Sequence, residues 1–177
     1  EIDSVCGDAI RYGLAEGDAL RFRRSQVGLL DALLASQPEV ETDGAFEKAR
    51  DALRRFEGIR PLKAPRGFTG RLRDYQALGL GWMAFLRDFG FGGCLADDMG
   101  LGKTVQVLAL LEARRSETKK PSLVVVPRSL VFNWKEEAAR FAPRLRVRDH
   151  TGLDRARKAG AFDDCDVVLT TYGTLRR

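Results

Sequence analysis

Apolar residues recur at helical spacing twice in the first third of the chain. In residues 25–36, Val27, Leu30, Leu33 and Leu34 fall on one face, with Ser25 placed to cap; in 43–58, Phe46, Ala49, Leu53 and Phe56 repeat the spacing. Two amphipathic helices are therefore predicted before Gly58. Polar residues 37–44 form the loop between them, and residues 1–24, with short apolar patches broken by glycines, are read as strand. The stretch "RPLKAPRGFTG" (60–70) combines prolines, glycines and cations and predicts an extended connector and a domain boundary.

Beyond the connector the periodicity alternates. Tyr75, Leu78, Trp82, Phe85 and Phe89 at 3,4 spacing predict a helix over 71–89, with Tyr75 and Trp82 in the core. A strand at 92–96, a helix at 103–115 and a strand at 122–127 follow. Next come a helix over 129–141, with Trp134 facing Val131, Ala138 and Phe141, and a strand at 145–150. A short basic helix at 153–160 and a strand at 166–172 close the pattern. Strand and helix units of this length imply an α/β fold, a parallel sheet flanked by helices. The reading gives a mostly helical accessory segment, 1–60, and a main domain, 61–177, with no internal repeat or low-complexity tract.

Composition narrows the function classes. The chain has 177 residues, 44% of them hydrophobic, enough for a sizeable core. Its longest apolar runs fall far short of the roughly 20 residues a membrane span requires. Cys6, Cys94 and Cys165 form no CxxC pair, which argues against a zinc site or a disulfide framework and for a reduced, cytoplasmic setting. His150, the single histidine, leaves little room for Ser-His-Asp chemistry. Residues 1–60 carry 9 Lys and Arg against 12 Asp and Glu, whereas 61–177 carry 21 against 13, nets of −3 and +8. The basic part is either a surface for polyanions or a solvated face. The chain opens on Glu1 without a methionine and is read as a piece of a longer protein.

The chemistry concentrates in "CLADDMGLGKT" (94–104). A phosphate loop follows G-x-x-x-x-G-K-[ST]; here the last three positions are Gly102, Lys103 and Thr104, but the first is Asp97. Gly100 and Gly102 let the backbone curl with its N–H groups inward. Lys103 supplies a point charge for β- and γ-phosphates, and Thr104 offers a hydroxyl to magnesium. An apolar stretch precedes the loop and a helix follows, so phosphates would also meet a helix N-terminus.

The segment "DDMGLGKT" resembles the first motif of the Swi/Snf-type helicase-like ATPases of helicase superfamily two, in which an acidic pair precedes Met-Gly-Leu-Gly-Lys-Thr. Asp97 is then a family trait, while glutamate is commoner at the position of Asp98. Residues 72–86, 122–141 and 166–177 match further motifs in order, so the resemblance runs from 72 to the C-terminus. It implies the N-terminal portion of a first RecA-like lobe, with ATP and magnesium as cofactors and duplex DNA as partner. The nucleotide-contacting set would be Gln76, Asp97, Asp98, Met99, Gly100, Leu101, Gly102, Lys103 and Thr104, with Lys103 and Thr104 catalytic.

Gln76 carries an amide suited to an adenine edge and, by resemblance, reads it; by itself it is equally an exposed helix glutamine. Ser129 is either the cap of the helix after Pro127 or a contact to a DNA backbone phosphate. Thr170 and Thr171 end a strand at the carboxyl edge of the sheet, where ligands bind in open parallel sheets, and the family puts DNA there. The family's acidic Asp-Glu-x-His box follows the "TTY" segment and its arginine comes from a second lobe. The remainder of the parent is thus an implied partner, and the chain alone is expected to be inactive. The implied parent is a DNA-dependent ATPase that translocates on duplex DNA and remodels protein–DNA complexes, nucleoid-associated if bacterial. Alternatives are another superfamily-two motor, of restriction-type translocase or RNA-polymerase-recycling kind, or a non-catalytic nucleic-acid-binding fragment.

Overall fold

The computed structural model describes residues 14–16, 19–35, 41–151 and 160–176. They fall into two compact units. One comprises the described residues up to Ile59 together with Ala84–Cys94; the other comprises Arg60–Met83 and the described residues from Leu95 onward.

In the first unit, β1 (Leu14–Glu16) and β2 (Ala19–Arg21) form an antiparallel hairpin with Ala15 opposite Leu20. A 3-10 turn, Arg24–Gln26, leads into α1 (Val27–Leu34), and α2 (Gly44–Arg54) follows. Ser25 sits inside the turn and does not cap α1; Gln26 holds the entry by accepting the Arg23 N–H at 2.8 Å. The cap of α2 is Asp43, which accepts the Phe46 N–H at 2.7 Å. Val27 and Leu30 are buried as the spacing predicts. Arg54 grips Asp31 through two guanidinium nitrogens at 2.9 and 3.2 Å, tying α2 to α1. Phe56 packs on Phe85, ring centroids 4.4 Å apart, and Phe89 and Phe91 extend the aromatic cluster.

The second unit holds the sheet. α3 (Asp74–Phe89) begins here and ends in the first unit. α4 (Lys103–Arg114), β3 (Ser122–Val125), α5 (Val131–Phe141), β4 (Val147–Asp149), β5 (Val167–Thr170) and α6 (Tyr172–Leu175) follow in order. The three strands are parallel in the order β3-β5-β4, with Val125 opposite Thr170 and Asp149 opposite Leu169. All four positions of β5 are buried, which explains its unbroken apolar run in place of an alternating one. Leu108, Leu111, Ala138, Ala142, Leu145 and Val167 form one core cluster, joined by Trp134 and Phe141. Phe68, Leu72, Leu80, Met83 and Ala109 form another between α3 and α4, with Trp82 packed against it. At the start of β5, Asp166 accepts the backbone N–H of Arg146 and two of its guanidinium nitrogens, at 2.9 to 3.1 Å.

Several expectations need correction. Residues 92–96 form no strand, because no ladder of backbone hydrogen bonds joins them to the three strands among the described residues. The apolar stripe of α3 is rotated: Tyr75 and Leu78 are exposed, and Gln76, Leu80, Gly81 and Met83 are buried instead. The polar Gln76 sits on the true inner face, so hydrophobicity alone placed that face one residue off. The helix expected from Ser129 begins at Val131, after a separate 3-10 turn, Arg128–Leu130. Its N-cap is Leu130, so Ser129 is not a cap. The last strand stops at Thr170, since Thr171 turns the chain into α6. The connector 60–70 carries no helix or strand, yet it is docked. Leu62 donates to the Ala77 carbonyl at 2.9 Å, Thr69 donates to the Phe141 carbonyl at 2.7 Å, and Phe68 stacks on Phe141. The basic helix proposed for 153–160 falls, except for Gly160, outside the described residues.

Candidate nucleotide-binding site

The loop between residues 91 and 102 has no regular structure, so its shape depends on what holds its ends. Gly100 and Gly102 have φ of +83° and +77°, a left-handed conformation that a residue with a Cβ adopts only under strain. At Gly102 a side chain is excluded twice over, since a Cβ there would lie 2.6 Å from Nε2 of Gln76. Gly102 is also the N-cap of α4, and no side chain caps that first turn. The positive end of a three-turn helix dipole therefore stands behind the loop, an arrangement suited to phosphate.

Lys103 opens the helix and folds back. Its Nζ donates to the carbonyls of Asp97 at 2.6 Å and Asp98 at 2.9 Å, so the ammonium lies within the curl of the loop. α3 supports the opposite side: Tyr75 donates its hydroxyl to the Leu101 carbonyl at 2.9 Å, and Gln76 donates Nε2 to the same oxygen at 3.0 Å. The Gln76 oxygen accepts the Arg73 N–H at 3.0 Å. The Asp97 carboxylate is held by Nε2 of Gln106 at 2.8 Å.

Most of the sequence-predicted loop residues thus converge. Asp97, Leu101, Gly102 and Lys103 form one hydrogen-bonded unit with Gln76. Thr104 is half-buried at the first turn of α4, while Asp98 is exposed and Met99, 95% exposed, points into solvent. Gln76 is 7% exposed with both amide atoms engaged on backbone. It braces the loop in this state. Two participants were missed. Tyr75 was assigned to the core on its spacing, but its hydroxyl holds the loop. Gln106 could have been found from its place, one helical turn after Lys103 and an isolated amide in the apolar run "TVQVLALL".

The other candidate residues gather at the carboxyl ends of β3 and β5, which are adjacent in the sheet. Ser129 is exposed in its 3-10 turn and Thr171 is half-buried at the start of α6, its hydroxyl 3.1 Å from that of Thr174. Thr170 is 2% exposed and donates to the His150 carbonyl at 2.9 Å, so its hydroxyl serves the sheet edge and is not presented to a ligand. Among the described residues no cluster of three or more His, Cys, Asp and Glu could hold a metal ion, and no helix is long and apolar enough to cross a membrane.

The sequence model of the SNF2-related domain matches residues 75–177, more than half of the chain. The chain belongs to the SNF2-related family. It is 45% identical to YwqA of Bacillus subtilis over 122 residues, covering 66% of this chain and 13% of that protein. With the ISWI chromatin-remodeling complex ATPase CHR17 of Arabidopsis thaliana it shares 39% identity over 134 residues, covering 68% and 12%. Among solved structures it resembles the SWI2/SNF2 ATPase core of Sulfolobus solfataricus in complex with dsDNA. That match has a TM-score of 0.59 at 42% identity, covering 69% of this chain and 25% of the other. The α/β architecture is accordingly that of a RecA-like lobe. The chain spans about an eighth of the length of these curated relatives and a quarter of the solved core.

Proposed function

We propose that the chain is the nucleotide-binding part of a DNA-dependent ATPase that translocates on duplex DNA and remodels protein–DNA complexes. The observation that carries this reading is the ammonium of Lys103 drawn onto the Asp97 and Asp98 carbonyls, inside a glycine curl at the uncapped N-terminus of α4. Neutral carbonyls are weaker partners for an ammonium than anionic oxygens, so a nucleotide phosphate would compete for it favourably. The glycines suit a phosphate because no Cβ crowds the inner face of the curl. The names of the relatives, a chromatin-remodelling ATPase and an ATPase core with dsDNA, support the same reading.

Within it, Lys103 would bind the terminal phosphates and Thr104 would complete the shell of a magnesium ion carried in with ATP. That ion would neutralise phosphate charge. Gln76 would contact the base as well as bracing the loop, using whichever amide face its loop contact releases. The carboxylate that orients the attacking water and the arginine that neutralises developing charge are assigned to the rest of the full-length protein. The accessory role of 1–60 and the main domain 61–177 stand within this proposal, as does DNA contact at Ser129 and Thr171. The burial of Thr170 limits it to shaping that edge.

The test is ATP turnover by the full-length protein with and without duplex DNA, and DNA affinity across a salt series. Turnover stimulated by DNA is expected. Affinity should fall steeply with salt and depend little on sequence, since contacts of this kind go to phosphates and release counterions. A flat salt slope or turnover indifferent to DNA would overturn the proposal.

A further inference from the structure

Gln106 is fully buried, 0% exposed, in the second turn of α4. Its Nε2 meets Oδ2 of Asp97 at 2.8 Å, and its Oε1 has no hydrogen-bond partner among the described residues. The orientation is forced. A carboxylate only accepts, so the amide must turn its nitrogen toward Asp97 and its oxygen away. The oxygen then seats against α3 at Gly79, where an added Cβ would fall on Oε1 itself. A bare backbone at 79 is the condition for this side chain to fit.

The energetics argue against a packing role. A buried acceptor left unpaired is destabilising, and a leucine of similar volume would fill the space between α3 and α4 without that cost. The amide is thus kept where packing alone would favour an apolar residue. What it secures is the one loop position at which the phosphate-loop pattern has glycine and this chain has aspartate. With Gln76 of α3 bracing Leu101, the loop is held at one end from α3 and at the other, through Gln106, from α4.

We propose that Gln106 is a positioning residue of the nucleotide site, clamping Asp97 so that the Asp97 carbonyl and the curl after it hold the shape that receives phosphate. The inference rests on the nucleotide-site reading above. Gln106 need not touch nucleotide; it acts through Asp97, whose carbonyl shares Lys103 with that of Asp98.

The experiment measures steady-state ATP turnover with duplex DNA, and thermal melting, on variants of the full-length protein. Gln106→Leu should raise KM for ATP about tenfold, the weight of one hydrogen bond to a charged group. kcat should change by less than about threefold and Tm should not fall. Gln106→Glu, which sets a second carboxylate against Asp97, should raise KM further. Combining it with Asp97→Asn reverses the donor and the acceptor, and should return KM to within about threefold of the unsubstituted protein. A Tm loss with KM unmoved, or a Gln106→Glu defect that Asp97→Asn does not relieve, would reduce Gln106 to a packing residue. If Gln106→Leu does not fold, the exchanged pair decides alone. Lys103→Ala separates the two levels of inference. Full turnover in that variant overturns the nucleotide site itself, whereas its loss alongside an unaffected Gln106→Leu overturns only the clamp.

Discussion

Residues 95–102 of the candidate nucleotide loop and the three-stranded sheet lie in the same compact unit and are held by opposite means. β5 is bonded along its length to β3 on one side and β4 on the other, with every residue buried. The loop at 91–102 is not part of that sheet; it is shaped by hydrogen bonds from Tyr75, Gln76, Lys103 and Gln106 onto carbonyls and one carboxylate. A ladder is redundant, so a change in it is felt as lost packing. A clamp of single bonds is not redundant. Changes there should appear in nucleotide handling before they appear in stability.

The sharpest break of this contrast is Lys103→Ala. Turnover of ATP by the full-length protein should fall at least about a hundredfold, comparable to removing a preorganised charge-stabilising donor, with Tm unchanged because the ammonium bonds only loop carbonyls. Near-normal turnover would refute the assignment of Lys103. The converse is Leu169→Ala at the centre of the sheet, where the side chain is 1% exposed. It should destabilise by roughly 2–5 kcal/mol, read by denaturant unfolding, while KM for ATP in the folded protein stays constant.

A smaller effect is expected from Asp166→Asn. The guanidinium of Arg146, bonded to it through two nitrogens, holds the Asp166 carboxyl below its ordinary value. A depressed carboxyl stabilises the fold fully above the unfolded value of about 4 and loses that contribution as pH falls through the depressed one. The variant should therefore be less stable than the unsubstituted protein at neutral pH, by no more than about 1 kcal/mol because Arg146 is exposed and the pair is screened, and the two unfolding curves should converge in acid. A gap that is constant down to pH 2 would show that the pair contributes nothing through charge. The smallest change belongs to Tyr75→Phe. Its hydroxyl is one of two donors on the Leu101 carbonyl and the residue is exposed, so KM for ATP should rise by no more than about threefold. A tenfold rise would mean that Tyr75, and not Gln76, carries the brace.

The difference between the two regions also separates what periodicity could read from what it could not. The β-strand at 167–170, the helices at 103–114 and 131–141 and the docking of Trp82 and Trp134 in the core were all legible, because a buried face imprints its period on the sequence. The face of α3 was misjudged because its inner residues include Gln76 and two glycines, Gly79 against Gln106 and the buried Gly81, which carry no apolar signal. The strand predicted at 92–96 failed for a related reason. A short apolar run is not enough for a strand, which needs a neighbour with free backbone groups; here Gly92, Gly93, Cys94 and Ala96 are exposed. Ser25 and Ser129 satisfied the composition of a cap without its geometry, as a 3-10 turn intervenes at both places.

The residues alone pointed to a phosphate loop, since two glycines, a lysine and a threonine at that spacing have few other uses, and with three further motifs they determined the family. They also determined the parallel α/β architecture, because an alternation of periods admits few others. Only the tertiary structure decided which face of α3 turns inward, that Thr170 is spent on the His150 carbonyl, and what Asp97 does in place of a glycine. Asp97 is held by an amide nine positions along the chain, whose oxygen rests on a glycine of a different helix. A contact of that kind depends on the relative placement of two helices and a loop, and no local pattern of residue types encodes it.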